Sequence, residues 1–142
     1  MTTRTASAHY EGLGPKGKGS VSTGSGILHN QVYDFTTRFG DEPGTNPEEL
    51  IAAAHASCFT MALSFALAQA GFSDGALDTR ADVTLEKDGD GFKISKSELT
   101  LIAQIPGITD EAFQQIASGA KAGCPVSKLL NAQITLKAIL QD

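Results

Sequence analysis

The chain has 142 residues, enough for a single domain at positions 1–142, and a net charge of −5 from 11 Lys and Arg against 16 Asp and Glu. This negative charge argues against nucleic acid or an anionic membrane as a partner. The polar first residues contain no apolar signal segment, so a cytoplasmic protein is expected. In such a protein two cysteines are catalytic, redox-sensing or inert, since two do not make a disulfide scaffold.

The first third of the chain has the pattern of short strands. Residues 5–11 alternate between polar and apolar side chains, and further strands are predicted around 18–23, 27–29 and 32–35. The glycines of Gly12–Gly17 match the phosphate-binding pattern G-x-G-x-x-G, but no helix follows them as that motif requires. The sequence therefore predicts a hairpin loop at this position.

A long helix follows. Asn46 is a suitable N-cap, Pro47 suits the first helical position, Glu49 completes a capping box, and Gly71 is a plausible stop. No charged residue occurs between Ile51 and Phe72, and apolar residues lie all around the helix. Such a helix is buried on all sides, in a membrane or inside a protein. Interrupting polar residues and the lack of Lys or Arg at either end favour a soluble core helix.

The second half predicts strands and shorter helices. A strand over 79–86, a turn over 88–91 and a return strand form a hairpin, and the apolar positions of the return strand change from even to odd numbers. That change predicts a β-bulge between Ser95 and Glu98. A helix from Thr109 or Asp110 to Gly123, a short helix after Cys124 and a last strand over 132–140 follow. The class is α+β, with an antiparallel sheet packed against helices.

Four residues are candidates for chemistry. Cys124 lies at a helix start, where the helix dipole lowers a thiol pKa, whereas Cys58 lies among apolar residues that would raise its pKa and leave it inert. Arg38 and Glu48 are either functional or ordinary solvated charges. His55 and Cys58 share a helix face and could in principle bind a metal, but no third ligand is evident, so no metal site is predicted.

Three segments make the chain recognisable: Asn-Pro-Glu-Glu-Leu (46–50), Ala-Ala-Ala-His-Ala-Ser-Cys-Phe (52–59) and Lys-Ala-Gly-Cys-Pro-Val-Ser (121–127). Together they resemble the OsmC/Ohr family of thiol peroxidases, which reduce organic hydroperoxides, and the likeness extends over nearly the whole chain. The position of Arg38 in Thr-Arg-Phe, just before the long helix, is similar to the OsmC branch of the family.

The resemblance implies a role for each candidate. Cys58 matches the family's peroxidatic cysteine, Cys124 the resolving cysteine, and Arg38 and Glu48 the charged pair that assists the reactive thiol. It also implies the OsmC/Ohr-like fold, an antiparallel sheet wrapped around a long central helix, in an intertwined homodimer. The expected activity is reduction of alkyl or lipid hydroperoxides in oxidative or osmotic stress. No cofactor is expected, and an external dithiol, either lipoyl groups or a thioredoxin-like protein, would reduce the Cys58–Cys124 disulfide.

Helix geometry adds a prediction about the dimer. Glu48 and Cys58 are ten positions apart on one helix, which corresponds to about 15 Å of rise, too far for one side chain to span. If both belong to one site, they come from different subunits whose long helices cross antiparallel near residue 53, where Ala52, Ala53 and Ala54 allow close approach.

Two other functions remain open on the residues alone. One is a dimeric, non-enzymatic carrier of an apolar ligand, with incidental cysteines. The other is a thiol–disulfide oxidoreductase without peroxide specificity. Phe39, Phe59 and Met61 are candidates to line an apolar pocket. The residues also leave open which thiol is the more acidic, because the helix dipole favours Cys124 and the resemblance names Cys58 as the nucleophile.

Overall fold

The computed structural model describes residues 1–142, which form two compact units, Met1–Leu50 and Ile51–Asp142. The expectation of a single domain stays a prediction. The elements in chain order are β1 (Ala6–Glu11), β2 (Lys18–Thr23), β3 (Gln31–Tyr33), α1 (Phe35–Phe39), α2 (Pro47–Gln69), β4 (Ala76–Asp88), β5 (Gly91–Gln104), α3 (Asp110–Gly123), α4 (Pro125–Leu129) and β6 (Gln133–Gln141).

The first unit contains an antiparallel sheet in the order β1-β2-β3. Between β1 and β2 the chain makes a 3₁₀ turn at Gly14–Lys16, so the predicted hairpin loop is confirmed. The strand predicted over 27–29 is wrong, because the chain turns there. The N–H of Leu28 donates to the Thr23 hydroxyl at 3.1 Å, and the Thr23 N–H donates to the Leu28 carbonyl at 2.8 Å. Such local side-chain bonds compete with strand pairing.

Helix α1, which the sequence did not predict, begins at a reciprocal cap. The Asp34 carboxylate accepts from the N–H groups of Thr36 and Thr37, at 2.9 and 3.0 Å. In return the Thr37 hydroxyl accepts from the Asp34 N–H at 2.7 Å. This capping box satisfies the free amides of the first turn, and it fixes the direction in which Arg38 leaves the helix.

Helix α2 begins and ends close to where the sequence predicts. The Asn46 side chain accepts from the Glu49 N–H at 2.8 Å, as an N-cap should. The predicted capping box is incomplete, because the Glu49 carboxylate accepts from the Thr45 hydroxyl at 2.7 Å. At the other end Gly71 has a φ of 96°, and Phe72 donates to the Leu67 carbonyl at 3.0 Å. These are features of a Schellman motif, which requires a residue that tolerates positive φ.

The second unit contains a sheet in the order β4-β5-β6, and its long hairpin β4–β5 is bulged. Thr84 pairs with Lys96 and Leu85 pairs with Ile94, so Ser95 is the extra residue on β5. The bulge is thus confirmed at the predicted place, and it allows both halves of β5 to keep their apolar side chains on one face.

The sheet differs from the prediction in one strand. Strand β6 pairs parallel to β5, from Lys96–Gln133 to Gln104–Gln141, so the sheet is mixed and the expectation of a purely antiparallel sheet is wrong. Parallel neighbours need a long crossover between them, and helices α3 and α4 provide it.

One hydrophobic core fills the second unit. It joins the buried face of α2 to β5 and α3, and Cys124 belongs to it. The buried residues are Phe59, Leu63, Leu67, Leu99, Leu101, Ala103, Ile105, Phe113, Ala117, Ala120 and Cys124.

Helix α2 is buried on one side only, so the expectation of a helix enclosed on all sides is wrong for the single chain. Phe59, Leu63 and Leu67 lie in the core, but Met61 and Phe65 are 61% and 65% exposed. The helix is long and apolar enough to cross a membrane by length and composition. Core helices of soluble proteins share that property.

Candidate active site

Cys58 lies in the middle of α2, on the border between its buried and its exposed face. The residue is half-buried and packs against the core that contains Phe59 and Cys124. Cys58 is 11 residues from each end of this helix, so its backbone is hydrogen-bonded within the helix on both sides. A half-buried thiol on such a helix has a fixed position and remains within reach of a small reactant.

Cys124 lies at the junction of two helices. It is the C-cap of α3, where its N–H donates to the Ala120 carbonyl at 2.9 Å, and it immediately precedes Pro125 at the start of α4. Its side chain is completely buried. The thiol makes no full capping bond, but the Val126 and Ser127 amides and the Ser127 hydroxyl approach the sulfur from the α4 side.

The fold brings the two cysteines together. They are 66 positions apart in the sequence, yet their thiols interact directly by hydrogen bonding, and both are reduced. Two thiols that interact can be linked into a disulfide by the removal of two electrons.

The surroundings of the two thiols shift their pKa values in opposite directions. Burial raises the pKa of Cys58, and the hydrogen bond with Cys124 adds to this effect. Burial also opposes ionisation of Cys124, but the Cys58 thiol and the polar groups of Ser127 and Val126 outweigh it and lower the pKa of Cys124. In the second unit taken by itself, Cys124 is therefore the thiol that ionises first.

Arg38 and Glu48 form an ion pair in the first unit. The Arg38 Nε and Nη2 donate to the two Glu48 carboxylate oxygens, each at 2.9 Å, in a bidentate arrangement. The hydrogen bonds that Arg38 donates to Glu48 raise the pKa of Arg38, so the guanidinium stays charged. The Glu48 side chain is 11% exposed and that of Arg38 is 36% exposed, so the carboxylate is covered while the cation remains accessible.

A pocket lies beside Arg38. Four aromatic side chains line it together with Arg38, Asp34, Gly14 and two prolines. The aromatic residues are Tyr10, Tyr33, Phe35 and Phe39. Of the three residues predicted to line an apolar pocket, Phe39 does so here. Phe59 is completely buried in the core and lines no open pocket, and Met61 lines a separate groove between α2 and β4.

His55 is engaged by two serines. Its Nδ1 lies 2.6 Å from the Ser97 hydroxyl and its Nε2 lies 2.8 Å from the Ser127 hydroxyl, and His55 and Ser97 are both completely buried. The chain contains no group of three His, Cys, Asp or Glu residues able to hold a metal ion. Both ring nitrogens of His55 are thus used for hydrogen bonds within the protein.

A family model described as OsmC-like protein matches residues 40–138. Peroxiredoxin OsmC of Escherichia coli strain K12 is 56% identical over 129 residues, which cover 91% of this chain and 90% of that protein. The chain belongs to the OsmC family. The predicted family is thereby confirmed.

More distant members of the OsmC/Ohr family are also similar to this chain in sequence and in fold. The organic hydroperoxide resistance protein OhrB of Bacillus subtilis is 26% identical over 124 residues, covering 87% of this chain and 89% of that one. A crystal structure of an organic hydroperoxide resistance protein OsmC from Legionella pneumophila has a TM-score of 0.70 at 26% identity, and covers 100% of this chain and 98% of that one. The predicted OsmC/Ohr-like α+β fold is confirmed.

Sequence reasoning missed the role of two serines in this OsmC-family site. The sequence presents Ser127 only as the last residue of the segment 121–127, and no motif includes Ser97. A signal was available for one of them, because Ser127 follows Cys124 by three residues at a helix start, where its amide and hydroxyl face the preceding side chain. The contact of Ser97 with His55 joins residues 42 positions apart, and only the fold shows it.

Proposed function

We propose that this protein is a peroxidase that reduces organic hydroperoxides to alcohols, with Cys58 as the peroxidatic and Cys124 as the resolving cysteine. The direct interaction of these two thiols carries the proposal. Membership of the OsmC family supports it, because the relatives include a protein named peroxiredoxin and another named for organic hydroperoxide resistance.

Exposure supports Cys58 as the nucleophile. Cys58 is half-buried and Cys124 is completely buried, so a hydroperoxide reaches Cys58 first. The attacking species must be a thiolate, and burial raises the pKa of Cys58. A cation close to Cys58 is therefore required in the working enzyme. Arg38 is suited to this task, because a guanidinium stays charged when it is removed from water and Glu48 fixes its orientation.

The chemistry has three steps. The Cys58 thiolate attacks the distal peroxide oxygen, the O–O bond breaks, and the alkoxide takes a proton and leaves as the alcohol. The Cys124 thiolate then attacks the sulfur of the Cys58 sulfenic acid, an S–S bond forms, and the S–O bond breaks to release water after protonation. An external dithiol finally reduces the disulfide by thiol–disulfide exchange, through a mixed disulfide. This reductant is a lipoyl group or a thioredoxin-like protein.

Arg38 and Glu48 reach Cys58 from the other subunit of a homodimer. The helical rise between Glu48 and Cys58, about 15 Å, excludes contact along one helix. The exposed apolar face of α2, with Met61 and Phe65, supports an interface between two copies of this helix. Each of two equivalent sites then combines the cysteines of one subunit with the charged pair of its partner.

The aromatic pocket beside Arg38 receives the apolar part of the substrate. Its aromatic walls favour alkyl or aryl groups, while the guanidinium attracts the polar peroxide end. Bulky alkyl and lipid hydroperoxides are therefore better substrates than hydrogen peroxide. The protein acts in the cytoplasm, in defence against oxidative or osmotic stress.

The test is a thiol count. Reduced protein receives one equivalent of an alkyl hydroperoxide per subunit, and free thiols and mass are measured, with hydrogen peroxide as a parallel sample. We expect rapid loss of both thiols, a Cys58–Cys124 link by peptide mass, and a slower reaction with hydrogen peroxide. Retention of two free thiols would contradict the proposal and favour a carrier of apolar ligands. Equal rates with both peroxides would contradict the substrate class.

A further inference from the structure

His55 has the features of a functional residue that the mechanism above does not use. It is completely buried, whereas the other two histidines, His9 and His29, are exposed. Burial lowers the pKa of His55, so the imidazole is neutral at physiological pH. A neutral imidazole carries one N–H donor and one acceptor nitrogen, and here each nitrogen lies within 2.8 Å of a serine hydroxyl.

Ser127 connects His55 to the resolving cysteine. Its hydroxyl lies 2.8 Å from His55 Nε2 and also interacts with the Cys124 sulfur, as does its backbone N–H. The chain thus contains a continuous polar connection of four side chains: Ser97, His55, Ser127 and Cys124. It ends at the thiol that forms the disulfide, and it lies within the second unit.

The position of the protons determines which hydrogen bonds these four side chains can form. A serine hydroxyl has one proton, so Ser127 donates either to the sulfur or to the imidazole. If His55 carries its proton on Nε2, it donates to the Ser127 oxygen, and the Ser127 proton is directed toward the Cys124 sulfur. Nδ1 then accepts from the Ser97 hydroxyl. With the proton on Nδ1, Ser127 donates to the imidazole and the sulfur loses this donor.

We propose that His55 is a positioning residue for disulfide formation: it holds the Ser127 hydroxyl as a hydrogen-bond donor to the Cys124 sulfur, and Ser97 holds His55. This rests on the proposed function, since the step concerned is the attack of Cys124 on the Cys58 sulfenic acid. In that step the Cys124 electron pair forms the S–S bond, the S–O bond breaks, and the departing hydroxide and the proton lost by Cys124 make water. The bond from Ser127 stabilises the attacking thiolate before the S–S bond forms.

Two substitutions of His55 separate its two hydrogen bonds. The Gln amide nitrogen lies near the position of Nε2, so His55→Gln retains the bond to Ser127. The Asn amide nitrogen lies near Nδ1, so His55→Asn retains only the bond to Ser97. Ser127→Ala removes the hydroxyl with little change in volume, and Ser118→Ala is the matched control, because Ser118 is an exposed serine of α3.

The experiment follows the two steps separately at one pH after the addition of one equivalent of alkyl hydroperoxide. Sulfenic acid formation should have the same rate in all variants. Disulfide formation should slow about tenfold in His55→Asn and Ser127→Ala, which is the loss expected for one hydrogen bond to a charged group. It should remain close to wild type in His55→Gln and Ser118→Ala. Equal rates in the Gln and Asn variants, or an unchanged rate in Ser127→Ala, would overturn the proposal.

A measurement without peroxide tests the positioning role of His55 independently of the proposed peroxidase function. In a Cys58→Ser background, the ultraviolet absorbance of the Cys124 thiolate, followed as the pH is raised, should appear at a higher pH with His55→Asn than with His55→Gln, because the sulfur has lost a hydrogen-bond donor. If wild-type protein retains both thiols with hydroperoxide while this difference appears, the peroxidase function fails and the positioning of Cys124 stands. If the Cys124 thiolate forms at the same pH in the two variants, the positioning role is wrong. Should the His55 variants not fold, the same measurement is made on Ser127→Ala in the Cys58→Ser background. Unchanged ionisation of Cys124 in that variant would overturn the proposal.

Discussion

At the scale of residues, the site separates reactivity from acidity. Cys58 is the more accessible thiol, yet burial and the neighbouring thiol raise its pKa. Cys124 is buried, and the Cys58 thiol and the polar groups around Cys124 lower its pKa. A thiol that resists ionisation until a cation approaches reacts only in the complete site. In the proposed mechanism, Cys124 with its lowered pKa attacks once Cys58 has become a sulfenic acid, which would limit further oxidation.

Arg38→Lys tests whether the proposed reaction needs the guanidinium group of Arg38 and not only its positive charge. Lysine keeps the charge but loses the two parallel bonds to Glu48, so its ammonium is held less firmly. We expect kcat/KM for an alkyl hydroperoxide to fall about tenfold or more, as for the loss of one charged hydrogen bond. Arg80→Lys is the matched control, because Arg80 makes a similar fork to Asp82 on an exposed strand. An Arg38→Lys enzyme with full activity would contradict the role of Arg38.

His55 makes stability dependent on pH. The pKa of His55 in the folded chain lies below the ordinary value of 6.5, so below that pH the unfolded chain binds a proton more readily than the folded chain does. Stability from this source is complete above pH 6.5 and decreases as the pH falls below it, by at most about 1.4 kcal/mol per pH unit. Urea unfolding at pH 7, 6 and 5 measures this loss. We expect His55→Gln to reduce the slope, and an unchanged slope in this variant would contradict the assignment to His55.

At the scale of elements, the sequence predicted those parts of the fold that local chemistry controls. Asn46 and Gly71 marked the ends of α2, and the change of phase along β5 located the bulge at Ser95. Helix α1 was missed because it has only five residues and two are threonines, and it depends on the Asp34 cap. The parallel pairing of β6 and the meeting of Cys58 with Cys124 join distant segments. No local pattern records such contacts, so the resemblance alone indicated the cysteine pair.

Asn46→Ala tests whether a helix cap also serves the site. Asn46 caps α2, and its amide donates to the Thr37 carbonyl at 3.1 Å, which links the start of α2 to α1 and so aligns Glu48 with Arg38. Loss of the cap should cost about 1 kcal/mol of unfolding free energy and also lower peroxidase activity. Thr109→Ala removes the cap of α3, where Thr109 accepts from the Ala112 N–H at 3.2 Å. It should cost similar stability without loss of activity, and equal activity in both variants would show that Asn46 acts only as a cap.

At the scale of the whole molecule, each of the two compact units of the chain holds its own set of candidate residues. The first unit holds the charged pair and the aromatic pocket, and the second holds the cysteines and the His55 connection. Helix α2 belongs to both units and leaves an apolar face exposed. A second copy of the chain would cover that face and combine the charged pair of one subunit with the cysteines of the other, so dimerisation and activity should depend on the same surface.

Ala53→Leu tests this dependence. Ala53 is exposed in the single chain, so a larger side chain there disturbs no internal packing, and leucine is a good helix former. Two helices that cross near residue 53 have no room for it. We expect sedimentation to show a weaker dimer, and peroxidase activity to fall in parallel and to recover at high protein concentration. Ser118→Leu, which places the same side chain at an exposed position of α3, is the control and should change neither property. A fully active Ala53→Leu dimer would place the crossing elsewhere, and an active monomer would show that Arg38 reaches Cys58 within one chain.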